Sequence, residues 1–279
     1  MLGGSLRYPV GVGAGKSRHW GVGMIHPTAI VHPKARLDGT VRVGPYAIID
    51  EGVELGAQCV VGPHVYLTGW LKAGAENVFH ASCVIGDAPQ DLKYKDEPTR
   101  LRIGSNNVFR EFATVHRSTK PDGETVIGSH NYLMVNCTVG HNCVLGDGVI
   151  VANGALLAGH VTVEDYAQVG AFCPVHQFCR IGKYAYIAAH TVITQDVPPF
   201  SKIVAPRGTR CYGVNSVGLE RAGFSGARVE AIEKAYRLLL RSKLNTSQAL
   251  EKMRSTLAHS EDVQTLIQFV ESAERGLTK

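Results

Sequence analysis

An aliphatic residue, or occasionally a phenylalanine, recurs at every sixth position along most of this chain. The series runs from Ile25 to Ile85, resumes at Ile103, and continues from Ile127 to Ile193 without a break. Amphipathic helices repeat every 3.6 residues and strands every two, so a strict period of six fits neither alone. Short strands joined by tight corners, three to each coil, produce such a period. The chain is therefore predicted to fold largely as a left-handed parallel β-helix of hexapeptide repeats.

The series is interrupted over residues 87–100 and 118–126. Across each interruption the inward residues stay in phase at a multiple of six, as Ile85 and Ile103 do at 18 residues apart. We interpret the interruptions as loops that leave an intact β-helix. Because one coil takes 18 residues, side chains 18 positions apart are expected to stack at the strand spacing of about 4.8 Å.

Glycine often follows the inward aliphatic residue of a repeat. The examples are Gly44, Gly56, Gly62, Gly104, Gly128, Gly140, Gly146, Gly170 and Gly182. We expect these glycines to form corners whose backbone angles other residues avoid.

The cysteines follow the same period. Six of the seven lie four places after an inward residue, at Cys59, Cys83, Cys137, Cys143, Cys173 and Cys179. A small inward side chain is expected there, and no Cys or His spacing typical of a zinc site is present. We predict buried, reduced core residues in a reducing compartment, and no metal site.

A helical pattern replaces the period of six after Pro199. Ser225 is predicted to cap a helix that runs through Ser242, and residues 245–248 resemble a capping box before a second helix. Ser260 is expected to start a third. The predicted domains are a leader over 1–24, the β-helix over 25–200, and a C-terminal helical domain over 201–279 that covers the open end of the β-helix.

The first 24 residues contain Arg7, Lys16 and Arg18 but no acidic residue. Such a segment is typical of an organelle transit peptide, so a mitochondrial location is expected, with the bacterial cytoplasm as the alternative. No apolar run approaches the roughly 18 residues that span a bilayer, so no transmembrane segment is predicted. The net charge of +5 is too small to indicate a nucleic-acid partner.

Histidines cluster near one predicted column of the β-helix. His141, Gly159 and Gln177 are 18 residues apart and should stack, with His160 and His176 beside them. An imidazole can act as a base near neutral pH, and a glycine can present a bare backbone N–H to a developing oxyanion. These groups are suited to acyl transfer to a hydroxyl, while ordinary solvated histidines are the alternative.

Several segments resemble one family of acyltransferases. They are Gln90–Tyr94 with Glu97–Thr99, Leu157–His160, His176–Cys179, Gln195–Pro199, and Gly213–Asn215 with Arg221–Phe224. They are similar to UDP-N-acetylglucosamine 3-O-acyltransferase, the first enzyme of lipid A biosynthesis. The resemblance runs from about Ile25 to the C-terminus and includes both loops and the helical tail.

The resemblance implies transfer of an (R)-3-hydroxyacyl chain from acyl carrier protein to the 3-hydroxyl of UDP-N-acetylglucosamine. The acyl chain is carried as a thioester on the phosphopantetheine of the carrier protein, and no cofactor is implied. His141 would be the general base, and the Gly159 N–H would hold the oxyanion. The implied substrate-binding residues are Asp91, Lys93, His160, His176, Gln177, Asn215 and Arg221. A homotrimer with sites between subunits is also implied.

This sequence departs from the family pattern at a few positions. Asn142 stands where the family commonly has Asp after the base, Thr138 replaces a second His, and Ala222 replaces one of two arginines. These changes are expected to affect rate and affinity rather than the type of reaction. Ala189 matches the floor of the acyl-chain pocket, where a methyl group would shorten the preferred chain slightly.

Basic residues in the tail are candidates for contact with the acidic carrier protein, although a solvated helix face is the alternative. They are Arg228, Lys234, Arg237, Arg241 and Lys243.

Three further β-helix functions are less well matched. A γ-class carbonic anhydrase needs three histidine ligands, and His80 and His116 would stack, but no third ligand is found. The second is a hexapeptide-repeat acyltransferase that acts on another acceptor. The third is a non-catalytic β-helix scaffold.

Overall fold

The computed structural model describes residues 24–204 and 210–278. Nearly all of the expected leader over 1–24 lies outside these residues. Short strands follow one another through most of the described chain, and helices form its last part. In chain order the strands are β1 (Ile30–Val31), β2 (Arg36–Leu37), β3 (Arg42–Val43), β4 (Ile48–Ile49), β5 (Glu54–Leu55), β6 (Val60–Val61), β7 (Tyr66–Leu67), β8 (Trp70–Ala73), β9 (Val78–Phe79), β10 (Val84–Asp87), β11 (Arg100–Ile103), β12 (Val108–Phe109), β13 (Thr114–His116), β14 (Glu124–Ile127), β15 (Tyr132–Leu133), β16 (Thr138–Val139), β17 (Val144–Leu145), β18 (Ile150–Val151), β19 (Leu156–Leu157), β20 (Thr162–Val163), β21 (Gln168–Val169), β22 (Pro174–Val175), β23 (Arg180–Ile181), β24 (Tyr186–Ile187), β25 (Ser201–Val204) and β26 (Arg210–Val214). The helices are α1 (Ser216–Arg221), α2 (Gly226–Leu240), α3 (Thr246–Thr256) and α4 (Glu261–Glu271).

Every third strand joins the same sheet, so the chain winds through three sheets in turn. Sheet 1 contains β1, β4, β7, β10, β13, β16, β19 and β22; sheet 2 contains β2, β5, β8, β11, β14, β17, β20 and β23; sheet 3 contains β3, β6, β9, β12, β15, β18, β21, β24, β25 and β26. Strands β1–β24 pair in parallel, and Val139, Leu157 and Val175 are successive partners one coil apart. The predicted left-handed parallel β-helix is confirmed. Its core is the set of inward aliphatic residues, which are almost fully buried from Val43 to Ile193.

The two interruptions of the period are loops that leave a continuous β-helix. Leu101 pairs with Leu71, and Val126 pairs with Arg102, so the ladder continues across both loops. The loops cover residues 88–99 and 117–123, which are referred to as the first loop and the second loop. The predicted second loop extended too far, because residues 124–126 pair with β11. Asp87 and Arg100, expected in the first loop, are likewise strand residues.

The predicted role of the glycines was wrong. The left-handed residue of a corner is the third one after the inward aliphatic residue and is usually not glycine, as at Gln58 with φ of 59°. The glycine directly after the aliphatic residue is needed because the next coil passes close by. A Cβ at Gly56 would be 2.8 Å from the carbonyl carbon of Gly74, and one at Gly170 would be 2.4 Å from the carbonyl oxygen of Ile187.

The six cysteines of the period are buried core residues, as predicted. Each has no exposed surface, and each is a free thiol. Several thiols donate to backbone carbonyls at the corners, including Cys83 to Arg110 at 2.9 Å and Cys143 to Ala158 at 3.1 Å. Burial raises the pKa of Cys83, Cys137 and Cys143 to about 12. These thiols therefore stay protonated and act as small apolar side chains.

The C-terminal domain is continuous with the last coil of the β-helix. Strand β25 extends sheet 3 in parallel with β24, and β26 returns antiparallel to it. The Tyr236 hydroxyl of α2 donates to the Pro199 carbonyl, and the tail returns so that Thr278 N donates to the Asp196 carbonyl at 2.8 Å. The predicted capping box of Asn245 and Gln248 is present, and α2 ends at Leu240, two residues before the predicted end. No helix in the described ranges is long and apolar enough to cross a membrane.

Candidate active site

Both loops and the histidine cluster lie at one corner of the β-helix. The first loop joins β10 to β11 and the second joins β13 to β14, so both leave sheet 1 and re-enter at sheet 2. His141, Gly159 and Gln177 occupy the same corner on the three coils that follow. We call this edge the loop corner. Five consecutive coils therefore place loops and polar side chains along one edge.

The imidazole of His141 lies directly against Gly159. A Cβ on Gly159 would be 2.4 Å from His141 Cε1 and 2.6 Å from its Nε2. The ring thus fills the space that a side chain at position 159 would need. His160 N donates to the His141 carbonyl at 2.9 Å, which fixes the two corners to each other. The predicted stacking of His141, Gly159 and Gln177 is confirmed.

The backbone N–H of Gly159 donates no hydrogen bond within the described part of the chain. At the corner between sheets 2 and 3, side chains of the next coil accept from the equivalent amides. Ser129 Oγ accepts from Ser105 N at 3.1 Å, and Asp147 Oδ1 accepts from Ser129 N at 2.6 Å. No such acceptor covers Gly159, so its N–H is available to a ligand oxygen.

Asn142 fixes the tautomer of His141. Its Oδ1 lies 2.8 Å from His141 Nδ1 and also accepts from Thr119 N at 3.1 Å. A backbone N–H can only donate, so the atom that faces it is the amide oxygen and not the amide nitrogen. His141 must then donate from Nδ1, which leaves the lone pair on Nε2. Nε2 is the ring nitrogen nearer the Cβ position of Gly159, at 2.6 Å against 3.0 Å for Nδ1.

His160 lies beside this pair, in surroundings that disfavour its charged form. Its ring meets His141 edge-on, with centroids 5.2 Å apart, and stacks on Phe178 at 4.6 Å. Burial lowers the pKa of His160, and the nearby charges of His141 and Lys120 lower it further, while Asp91 opposes them. Lys120 of the second loop thus lies near His160. The sequence did not predict this residue at the site, because the loop carries no repeat.

His176 and Gln177 are exposed at the next coil of the loop corner. His176 Nδ1 lies 3.2 Å from Nη2 of Arg275, which reaches the corner from the C-terminal tail. Arg275 also donates to the Thr194 carbonyl at 3.4 Å. The sequence reasoning missed Arg275, because nothing in a six-residue period relates it to the β-helix.

The first loop is fastened to the same corner. His116 Nδ1 lies 2.8 Å from the Ala88 carbonyl, and Arg117 donates to the Tyr94 hydroxyl at 3.1 Å. Lys93 N donates to Asp91 Oδ1 at 2.9 Å, while the Lys93 side chain is exposed. Asp91 of this loop lies close enough to His160 to interact with it electrostatically, and the Lys93 side chain is exposed at the same corner.

The remaining predicted site residues lie at other corners of the same chain. Asn215 caps α1 by accepting from Gly218 N at 3.3 Å, and it donates to the carbonyl of Tyr184, which is at the corner between sheets 2 and 3. Arg221 is at the exposed end of α1. Ala189 follows β24 and is exposed at the corner between sheets 3 and 1. A single chain therefore does not bring these three residues to His141.

The predicted stacking of His80 and His116 was wrong. The first loop shifts the ladder, so His80 N donates to the Phe109 carbonyl and the next coil places Arg110 beside it. His80 lies 3.6 Å from Glu111 instead. Within the described ranges, no three His, Cys, Asp or Glu side chains are grouped so as to hold a metal ion.

A β-helix of hexapeptide coils with a histidine facing a bare glycine amide is typical of hexapeptide-repeat acyltransferases. Comparisons with known proteins agree. Residues 124–159 match the model of bacterial transferase hexapeptide repeats, and residues 196–278 match domain 2 of UDP N-acetylglucosamine O-acyltransferase.

Whole-chain relatives are more specific. The acyl-(acyl-carrier-protein)–UDP-N-acetylglucosamine O-acyltransferase of Akkermansia muciniphila is 54% identical over 255 residues, which are 90% of this chain and 98% of that protein. The enzyme of the same name from Myxococcus xanthus is 45% identical over 91% of this chain and 99% of its own. The crystal structure of the UDP-N-acetylglucosamine acyltransferase of Bacteroides fragilis has a TM-score of 0.89 at 35% identity, covering 92% and 100% of the two chains. The chain belongs to the UDP-N-acetylglucosamine O-acyltransferase family.

Proposed function

We propose that this protein transfers an (R)-3-hydroxyacyl chain from acyl carrier protein to the 3-hydroxyl of UDP-N-acetylglucosamine, the first step of lipid A biosynthesis. The family assignment supports the substrates, because the relatives named above carry both in their names. The observation that carries the chemistry is the contact of the His141 ring with Gly159, whose N–H has no acceptor among the described residues.

His141 acts as the general base. Its Nε2 takes the proton of the sugar 3-hydroxyl as that oxygen attacks the thioester carbonyl. The new C–O bond gives a tetrahedral intermediate, and the Gly159 N–H donates to its oxyanion. Collapse breaks the C–S bond, and the imidazolium returns its proton to the phosphopantetheine thiolate. The protein contributes one proton carrier and one oxyanion donor, and the mechanism needs no cofactor or metal.

Asn142 orients His141 but brings no charge to it. A carboxylate in its place would stabilise the imidazolium that forms in the transition state. The asparagine therefore supports the base through geometry alone. His160, His176 and Gln177 are proposed to line the glucosamine and pantetheine region. Asp91 and Lys93 of the first loop are proposed to hold the sugar or the acyl-chain hydroxyl.

The site is completed by other copies of the chain. Asn215 and Arg221 are proposed to meet the uridine diphosphate, and Ala189 to limit the acyl pocket, yet each lies at a different corner from His141. A homotrimer that sets the loop corner of one subunit against another corner of its neighbour would bring them together. The geometry of a single chain thus favours sites between subunits.

The carrier protein is proposed to dock on the exposed basic face of α2. Lys234, Arg237 and Arg241 line a groove between α2 and α3 together with His259. Arg228, one of the predicted contacts, is instead held by two hydrogen bonds to Asp262, at 2.7 and 2.8 Å. Arg228 is therefore assigned to the packing of α2 against α4.

The relatives named above are bacterial. Of the two expected locations, they favour the bacterial cytoplasm over the mitochondrion. A reporter fused to residues 1–24 and expressed in plant cells tests the mitochondrial alternative. Entry of the reporter into mitochondria would contradict a bacterial location.

The direct test is acyl transfer with purified protein, (R)-3-hydroxyacyl carrier protein and UDP-N-acetylglucosamine, followed by mass spectrometry of the product. Wild type should give a UDP-sugar ester at the 3-position. A parallel reaction with serine or glucosamine 1-phosphate as acceptor tests the nearest rival enzymes. No product with any acceptor would favour a scaffold.

A further inference from the structure

We propose that the second loop, through Ser118 and Thr119, holds the Asn142 amide in the one orientation that lets His141 act as a base. The inference rests on the function proposed above. It assigns a catalytic purpose to a loop that the six-residue period leaves unexplained.

The amide of Asn142 is held at both of its atoms. Oδ1 accepts from Thr119 N at 3.1 Å, from Thr119 Oγ1 at 2.9 Å and from His141 Nδ1 at 2.8 Å. Nδ2 donates to Ser118 Oγ at 2.6 Å. Both the oxygen and the nitrogen of the amide are therefore used, and both partners besides His141 come from the second loop.

The orientation matters because an amide has two different ends. If the Asn142 amide flipped, its Nδ2 would face both the Thr119 N–H and His141 Nδ1. Two donors would then oppose each other, and His141 would have to accept at Nδ1 and carry its proton on Nε2. An imidazole protonated on Nε2 has no lone pair directed at the sugar hydroxyl. The flipped amide thus disables the base without moving it.

An aspartate at this position would need no such control. Its two oxygens are equivalent, so both orientations accept from His141 Nδ1. The requirement for Ser118 and Thr119 is therefore a consequence of having asparagine at position 142.

The second loop is built to keep these partners in place. Ser118 is fully buried, its N donates to the Arg100 carbonyl at 3.2 Å, and its Oγ accepts from Lys120 N at 3.3 Å. Gly123 closes over it, since a Cβ there would be 2.5 Å from Ser118 Oγ. Ser118 Oγ is therefore held in position before it accepts from Asn142.

A double-mutant cycle tests the proposal. In wild type, Ser118→Ala should lower kcat about tenfold or more, with little change in KM for UDP-N-acetylglucosamine, because part of the protein then holds the wrong tautomer. In the Asn142→Asp background the same substitution should cost less than about twofold. Ser129→Ala is the matched control, since it removes a corner serine that accepts from a backbone amide at another corner and should leave kcat unchanged. Equal losses from Ser118→Ala in both backgrounds, or no loss in wild type, would overturn the proposal.

A spectroscopic measurement makes the test independent of activity, and a second variant makes it independent of whether Ser118→Ala folds. The 15N spectrum of His141, assigned by its loss in His141→Gln, should show an unprotonated Nε2 in wild type and a mixture of tautomers in Ser118→Ala. The same tautomer in wild type and in Ser118→Ala would overturn the proposal, whether or not wild type is active. An inactive wild type would instead refute the proposed function. Should Ser118→Ala fail to fold, Thr119→Val removes one donor to Asn142 Oδ1 and takes its place in the cycle, with a smaller loss expected.

Discussion

The ring of His141 fills the space that a side chain at position 159, on the neighbouring coil, would need. A Cβ on Gly159 would lie 2.4 Å from His141 Cε1, which is closer than two non-bonded carbons tolerate. Glycine at 159 is thus required by the neighbour and not by its own backbone angles, and it also leaves its N–H open. The same residue serves packing and chemistry.

Gly159→Ala should therefore displace the base. We expect kcat to fall by about 100-fold or more, since one group is moved and the oxyanion donor is crowded. Gly39→Ala is the control, because a Cβ there meets nothing within 4 Å. Steady-state kinetics on both variants, with melting temperatures, make the comparison. Similar activity in the two would contradict the proposed geometry.

His160 should make the folded protein sensitive to mild acid. Its pKa in the folded state lies below the ordinary value of 6.5, mainly because it is partly buried. The unfolded chain then binds a proton more readily, so stability is lost as pH falls below about 6.5. Melting temperature between pH 7.5 and 5.5 should fall less steeply in His160→Gln than in wild type. Equal slopes would show that the environment of His160 does not disfavour its charge.

The corners of the coils show what the sequence can and cannot predict. The period identified where each corner lies, because inward residues recur regardless of the turn that joins them. It did not identify which residue is left-handed, since Gln58 and similar residues carry no sign of it in sequence. Gly56 is explained by a neighbour one coil away, and such a contact is visible only once the coils are stacked.

A pair of substitutions separates the two roles at one corner. Gly56→Ala should destabilise the fold by about 1–3 kcal/mol, because the added Cβ meets the backbone of Gly74. Gln58→Gly should stay within about 1 kcal/mol of wild type, because relief of the left-handed strain offsets the greater freedom of the unfolded chain. Denaturant titrations measure both. The reverse order would place the strained backbone at position 56.

The first loop should be removable without loss of the β-helix. Deleting residues 88–99 joins Asp87 to Arg100 and restores a step of six between the flanking inward residues. The circular dichroism spectrum should keep its strand signal, while kcat/KM should fall by about 100-fold because Asp91 and Lys93 are lost. An unfolded product would show that the loop is part of the coil. Retained activity would show that the loop does not bind substrate.

At the scale of the molecule, the period predicted the column of His141, Gly159 and Gln177 but not the full site. The second loop and the tail have no repeat, so the contacts of Asn142 with Ser118 and of Arg275 with His176 had no signal in sequence. The helical tail likewise gave no indication that Asn215 packs against a different corner. A repeat predicts which residues stack on successive coils. The contacts of the loops and of the C-terminal tail depend instead on how those segments fold back onto the β-helix.

Sharing of sites between subunits can be tested by mixing inactive variants. His141→Ala and Arg221→Ala, each weakly active alone, should regain activity when they are unfolded together and refolded as mixed oligomers. The gain arises because some sites then receive His141 from one chain and Arg221 from another. Mixing His141→Ala with Gly159→Ala is the control, since both residues lie at the same corner of one chain. No gain in the first mixture would contradict sites built from two chains.

The proposed function depends most on His141, which acts as the base of an acyl transfer at the loop corner. The most direct measurement is the rate of transfer from (R)-3-hydroxyacyl carrier protein to UDP-N-acetylglucosamine by wild type and by His141→Ala. We expect kcat to fall by roughly 10²–10⁴ in the variant while the melting temperature stays close to that of wild type. Full activity in a folded His141→Ala protein would contradict the role of His141 as the base.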